Sequence, residues 1–205
     1  MKLKDIFNTQ INETPEVGDG DMYDDKFTPI DKKPISEISH YINLGNFTAL
    51  NKKIYLYQTP NDFKHVFGFI ENGIFNEYGY IKLLPRGNFL DYKNIREVDE
   101  VEVANDIRGK GLSTKLYRFL VLKLKMNLMC GELQYFGARL LWGNLSRQPD
   151  ISVDAVDINT PKIIERNATP THGRNNDDFD PKFWGRCTSD TNFACIRFIM
   201  RPKIN

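Results

Sequence analysis

The sequence lacks the features that mark membrane, secreted or metal-binding proteins. No stretch approaches the roughly 20 apolar residues of a membrane-spanning helix, and the opening MKLKDIFNTQ has no apolar run of signal-peptide length. Cysteine is scarce: Cys130, Cys187 and Cys195 are odd in number and never in CxxC spacing. That argues against a disulfide scaffold and suits reduced thiols in a cytoplasmic setting. His40, His65 and His172 show no ligand spacing with those cysteines, so no metal centre is expected. The net charge is only +1 over 205 residues, which removes any global pull toward nucleic acid or a membrane surface. What remains is a chain that can build a core, with 40% hydrophobic and 12% aromatic residues. Its length suits one domain with added segments.

Residues 1–45 read as an acidic N-terminal arm, with Asp19, Asp21, Asp24 and Asp25 clustered around glycines. The DGDMYDD stretch lacks the spacing and closing Glu of a calcium loop. A short helix is expected over residues 35–44. The domain proper, residues 46–205, opens on segments with strand composition at 53–59, 63–71 and 74–84. The last two flank Asn72-Gly73, a hairpin signal. Pro85-Arg86-Gly87-Asn88 is read as breaking the run. Residues 97–104 alternate acidic and apolar side chains, the period of a half-buried strand. Beyond Gly111, the spacing of Leu112, Leu116, Phe119, Leu120 and Leu124 predicts an amphipathic helix. A short strand at 127–130, a helix at 137–146, a strand at 151–158, a long polar loop at 159–190 and a last strand at 193–200 complete the expected order.

The richest chemistry lies in the turn Arg108-Gly109-Lys110-Gly111-Leu112-Ser113. It sets two glycines, two fixed cations and a hydroxyl between a strand and a helix start. Free N–H groups and the positive end of the helix dipole favour phosphate at such a place.

Arg108-x-x-Gly111-x-Ser113, with Val103 five residues ahead, resembles the acyl-CoA signature [RQ]-x-x-G-x-[GA] of the GCN5-related N-acetyltransferase (GNAT) family. Serine stands where that family has Gly or Ala. The stretch Gly131-Glu132-Leu133-Gln134 followed by Gly137-Ala138-Arg139-Leu140-Leu141-Trp142 and Leu145 is similar to GNAT-type proteins of tailed bacteriophages. The resemblance implies an α+β fold, a central mixed and mostly antiparallel sheet flanked by helices, whose fourth and fifth strands splay apart beside the signature. It implies acetyl-CoA as co-substrate and an amine acceptor on a protein or small molecule. Pantetheine would pair with the main chain of Val101 and Val103, and pyrophosphate would meet residues Gly109, Lys110, Gly111, Leu112, Ser113 and Thr114, steadied by Arg108. Candidate bases are Glu97 and Glu100, with Glu97 favoured. Glu100 and Glu102 share a face, and Glu97 lies opposite them unless a bulge intervenes. The Tyr that many family members use to protonate the departing thiolate is replaced by Trp142, whose indole cannot do so. Tyr135 is the nearby substitute.

Two other readings compete. The same fold could serve as a catalytically weak interaction module, a phage virion component or a binder of host machinery, given Trp142, the acidic arm and the 159–190 loop. The cations Arg108, Lys110, Lys115, Arg118, Lys123 and Lys125 could also touch nucleic acid, though no stacking motif accompanies them and a solvated helix face accounts for them more simply.

Overall fold

A computed structural model describes residues 31–60, 63–131, 136–170 and 196–203. Its centre is a ten-stranded sheet in the order β2-β3-β4-β5-β6-β7-β10-β8-β9, with β1 on an extension of β5. The strands are β1 (Lys32–Pro34), β2 (Ile42–Ala49), β3 (Lys52–Gln58), β4 (Lys64–Glu71), β5 (Ile74–Phe89), β6 (Tyr92–Val103), β7 (Asn127–Cys130), β8 (Ile151–Asp157), β9 (Lys162–Glu165) and β10 (Ile196–Pro202). The helices are α1 (Leu112–Arg118), continued by a π-helical turn (Phe119–Lys123), and α2 (Phe136–Ser146). Among the described residues every pairing is antiparallel except β6 with β7. The fold is therefore α+β, with a large, mostly antiparallel sheet and few helices. None of the described helices is long and apolar enough to cross a membrane.

Both helices cover the same face. Leu112, Leu116 and Leu120 from the first, and Trp142 and Leu145 from the second, join Ile54, Leu56, Phe67, Ile81, Val98, Val153 and Phe198 in one core. The helical period read in the sequence thus selects the buried stripe of α1. The opposite face carries two smaller clusters, Tyr57, Val66 and Phe75 under Ile38, and Tyr92, Ile95, Met129, Val156 and Ile199. The latter abuts Asp154, which is fully buried and accepts hydrogen bonds from Tyr92 Oη at 2.8 Å, Arg201 Nε at 2.8 Å and the Asn167 N–H at 2.7 Å. Buried charge survives here because its lone pairs are occupied.

Several expectations need correction. The helix over residues 35–44 is only a 3-10 turn, Ile35–Ile38, and Ile42 already opens β2. The boundary at 45/46 falls inside β2, and Lys32–Pro34 of the expected arm pairs with β5; residues 1–30 lie outside the described residues. Pro85 and Gly87 do not end their strand. Register shifts absorb both, and β5 runs on to a tight turn at Leu90 before β6 returns. The loop read at 159–190 contains β9, while residues 171–190 lie outside the described residues. The described part of the last strand, Ile196–Pro202, extends past the expected end at 200, while residues 193–195 lie outside the described residues.

Candidate functional site

The strand-to-helix turn after β6 combines an edge, a loop and a helix start. β6 pairs with β7 from Ile95↔Asn127 to Val98↔Cys130, and there β7 ends. β6 runs five residues further, paired among the described residues with β5 alone. At the parting point Gly131 crosses so close to β6 that a β-carbon would lie 2.5 Å from the Val98 carbonyl oxygen. Only glycine allows that approach. Beyond it, the Glu102 carbonyl faces Gly79 of β5 and the Ala104 N–H donates to the Tyr78 carbonyl at 2.9 Å. Alternation then turns the main-chain groups of Val101 and Val103 toward the opposite edge, where β7 is absent.

The turn itself is built on two left-handed glycines, Gly109 (φ 72°) and Gly111 (φ 74°), the second being the residue before α1. Ile107 N–H is satisfied by the Ala104 carbonyl, Arg108 N–H by Asn105 and Lys115 N–H by Gly111. Between them, among the described residues, no protein group accepts from the N–H groups of residues 109–114, and no side chain caps α1. Lys110 is exposed, Ser113 and Thr114 half-buried, and Leu112 anchors the helix in the core.

Arg108 departs from expectation. Its Nε donates to the Val103 carbonyl at 2.7 Å, a charge-assisted bond that closes the loop between strand and helix. The signature cation therefore fixes the turn, and it occupies one of the two carbonyls expected to meet pantetheine.

The candidate bases are brought together by a feature outside the simple alternation. Lys82↔Glu100 and Leu83↔Val98 are successive pairs, so Asp99 is an extra residue in β6. The bulge carries Glu97 onto the same face as Glu100 and Glu102. Glu97 is 4% exposed and ion-paired to Arg86. Glu100 accepts from Tyr80 Oη at 2.6 Å and pairs with Lys82 Nζ at 2.7 Å. Burial pushes the Glu100 carboxyl upward, but the Lys82 and Tyr80 hydrogen bonds outweigh it and hold the group below its ordinary range. It is a settled anion, well suited to attracting an ammonium. Tyr135 lies outside the described residues.

Trp142 is 1% exposed, with its ring 6.4 Å from that of Phe198 and edge-on to Tyr117 at 6.0 Å. It belongs to the core. Sequence reasoning missed its neighbours. Tyr117 is buried from the α1 side and its hydroxyl has no hydrogen-bond partner among the described residues. Burial raises its pKa, with the adjacent Cys130 adding to the effect. Cys130, at the last β6–β7 pair, has its thiol pushed up to about 11 by burial. It stays protonated at neutral pH and is no nucleophile.

No family model matches this sequence, and neither a curated protein nor a solved structure matches it.

Proposed function

We propose that this chain is an acyl-CoA-dependent N-acyltransferase of the GNAT kind, moving acetyl from acetyl-CoA to an amine of a protein or small molecule. The observation that carries the reading is the run of N–H groups at residues 109–114, left without a protein acceptor among the described residues at the head of α1. An anion with several oxygens is what such a cradle accommodates. Further support comes from the parallel β6–β7 pair, which parts after Val98↔Cys130 beside that cradle. The pyrophosphate would lie against residues 109–114 and the pantetheine amides along the free edge at Val101.

In this reading the amine attacks the thioester carbonyl, a C–N bond forms and the C–S bond breaks. The ammonium loses one proton to a base before attack, and the second proton, shed by the nitrogen as the amide forms, passes through water to the departing thiolate. Glu97 holds the base role, being one pair before the strands part, and Glu100 draws the incoming ammonium. Titration calorimetry with acetyl-CoA tests the binding step. A Kd on the order of micromolar is expected, and transfer to an amine panel should release free thiol. No heat and no thermal shift at millimolar acetyl-CoA overturn the proposal.

A second reading keeps the same fold as an interaction module of a phage particle or a binder of host machinery. It is favoured by the pairing of both Glu97 and Glu100 with cations and by the burial of Trp142 in the core. Acetyl transfer that disappears in Glu97→Gln rejects it.

A further inference from the structure

Two hydrogen-bond donors are left unspent in the helix-side core. Tyr117 of α1 and Trp142 of α2 are both buried, at 2% and 1% exposure. Neither the Tyr117 hydroxyl nor the Trp142 indole N–H has a hydrogen-bond partner among the described residues. Their rings meet edge to face with centroids 6.0 Å apart. Buried Tyr and Trp ordinarily find an acceptor for that polar tip. A buried donor without one gives up its water and regains nothing from the fold, and native cores hold few of them. Phenylalanine at 117 would fill the same space without that loss. Packing therefore accounts for the ring of Tyr117 and leaves its hydroxyl unexplained.

The surroundings put this hydroxyl beside the point where β6 and β7 part. Val98↔Cys130 is the last pair of those strands, and Val98, Cys130, Tyr117 and Trp142 belong to one buried cluster. Trp142 lies 6.4 Å from Phe198, whose N–H donates to Cys130 Sγ at 3.1 Å. The Tyr117 hydroxyl in turn interacts electrostatically with the Cys130 thiol. α1 starts at Leu112, next to the turn at 109–111, and carries Tyr117 to the neighbourhood of the last pair. Those are the two points that a pantetheine arm would join.

We propose that the Tyr117 hydroxyl is a catalytic donor to the sulfur of the acyl thioester. This role rests on the acyltransferase reading given above. As the amine nitrogen bonds to the carbonyl carbon, the C–S bond breaks and its electron pair goes to sulfur. Tyr117 donates a hydrogen bond to that sulfur as charge builds and keeps its own proton. The proton that ends on sulfur still comes from the nitrogen through water. A donor fixed in a dry core stabilises developing charge more than water does, because it needs no reorganisation. Burial raises the pKa of the phenol, so it remains a donor throughout the working pH range. The phenol that α2 lacks at Trp142 is thereby supplied from α1.

The test compares the full chain with its Tyr117→Phe variant. Single-turnover acetyl transfer should slow about tenfold or more in the variant, with the Kd for acetyl-CoA unchanged and Tm equal or higher. A second readout needs no turnover. The thiol of bound CoA, followed by the ultraviolet absorbance of its thiolate, should titrate about one pH unit higher in Tyr117→Phe than in the parent, because the hydrogen bond favours the thiolate. A tyrosine that only packs would leave that titration in place. A transfer rate within about twofold of the parent, or an unmoved thiol titration, overturns the proposal and leaves the acyltransferase reading standing. A Tm that falls by several degrees assigns the hydroxyl to a partner inside the fold and overturns it as well. A parent that binds no acetyl-CoA removes the acyltransferase reading and this role with it.

Discussion

Gly111 separates the anion-cradle argument from ordinary stability. It sits at φ 74° and ψ 10° immediately before α1, and a β-carbon there would meet nothing within 4 Å. Substitution therefore has no packing cost, only the left-handed penalty of about 1–2 kcal/mol for a side chain with a β-carbon. Asparagine tolerates that region better than most residues, and valine tolerates it poorly. For a chain of this length each kcal/mol moves Tm by about 2–4 °C. Gly111→Asn should thus stay within a few degrees of the parent, and Gly111→Val should fall further or relax its turn. Relaxation re-aims the N–H groups of residues 109–114. A hydrogen bond to a charged group contributes about 1.5–3 kcal/mol, so losing one contact to pyrophosphate should weaken acetyl-CoA about tenfold or more. Calorimetry gives the affinity and scanning fluorimetry the stability. The expected pattern is near-parental binding by Gly111→Asn and severe loss by Gly111→Val. Gly111→Val that melts lower yet binds acetyl-CoA within about threefold of the parent refutes the cradle.

Three other substitutions probe separate links. If the proposed chemistry holds, Glu97→Gln should lower kcat and leave the KM for acetyl-CoA in place, because the residue lies on β6 away from residues 109–114, where the phosphates would sit; a rise in KM with unchanged kcat contradicts its proposed role as base. Asp154→Asn should cost about 3–5 kcal/mol in urea denaturation, since it leaves the Arg201 guanidinium beside an uncharged buried group. Burial favours the neutral form of Asp154, yet the Asn167 N–H, Tyr92 and Arg201 outweigh it and hold the pKa low. Its contribution is therefore present above the unfolded carboxylate pKa of about 3.9 and lost as pH falls through the lower folded value. The parent should lose this part of its stability on acidification, and Asp154→Asn should lack that component. Tyr117→Phe removes a buried hydroxyl without a partner among the described residues, so Tm should hold or rise. A fall of several degrees would show that the hydroxyl has a stabilising partner.

Much of this architecture is visible in the residues. Asn72-Gly73 sets the β4–β5 hairpin, and the spacing of Leu112, Leu116 and Leu120 marks the buried stripe of α1. Local signals failed where tertiary pairing absorbs an irregularity. Pro85 and Gly87 look like a stop, but bulges carry β5 past both. Arg108 looks like a phosphate cation, but the loop is short enough for its guanidinium to return to Val103. Simple alternation leaves the face of Glu97 dependent on a bulge, and the signal for that bulge is in the sequence. Val98, Val101 and Val103 all contribute to the helix-side core, yet their spacing is three and then two. A strand with one buried face keeps period two, so Asp99-Glu100 between two core valines already announces an extra residue. That one residue turns the carboxylate of Glu97 onto the face of Glu100 and Glu102. It does so one step past the last β6–β7 pair, where β6 begins to run without its neighbour. The acids converge and the strands part at the same point, so the spacing of three valines bears more directly on the proposed chemistry than the six-residue signature does.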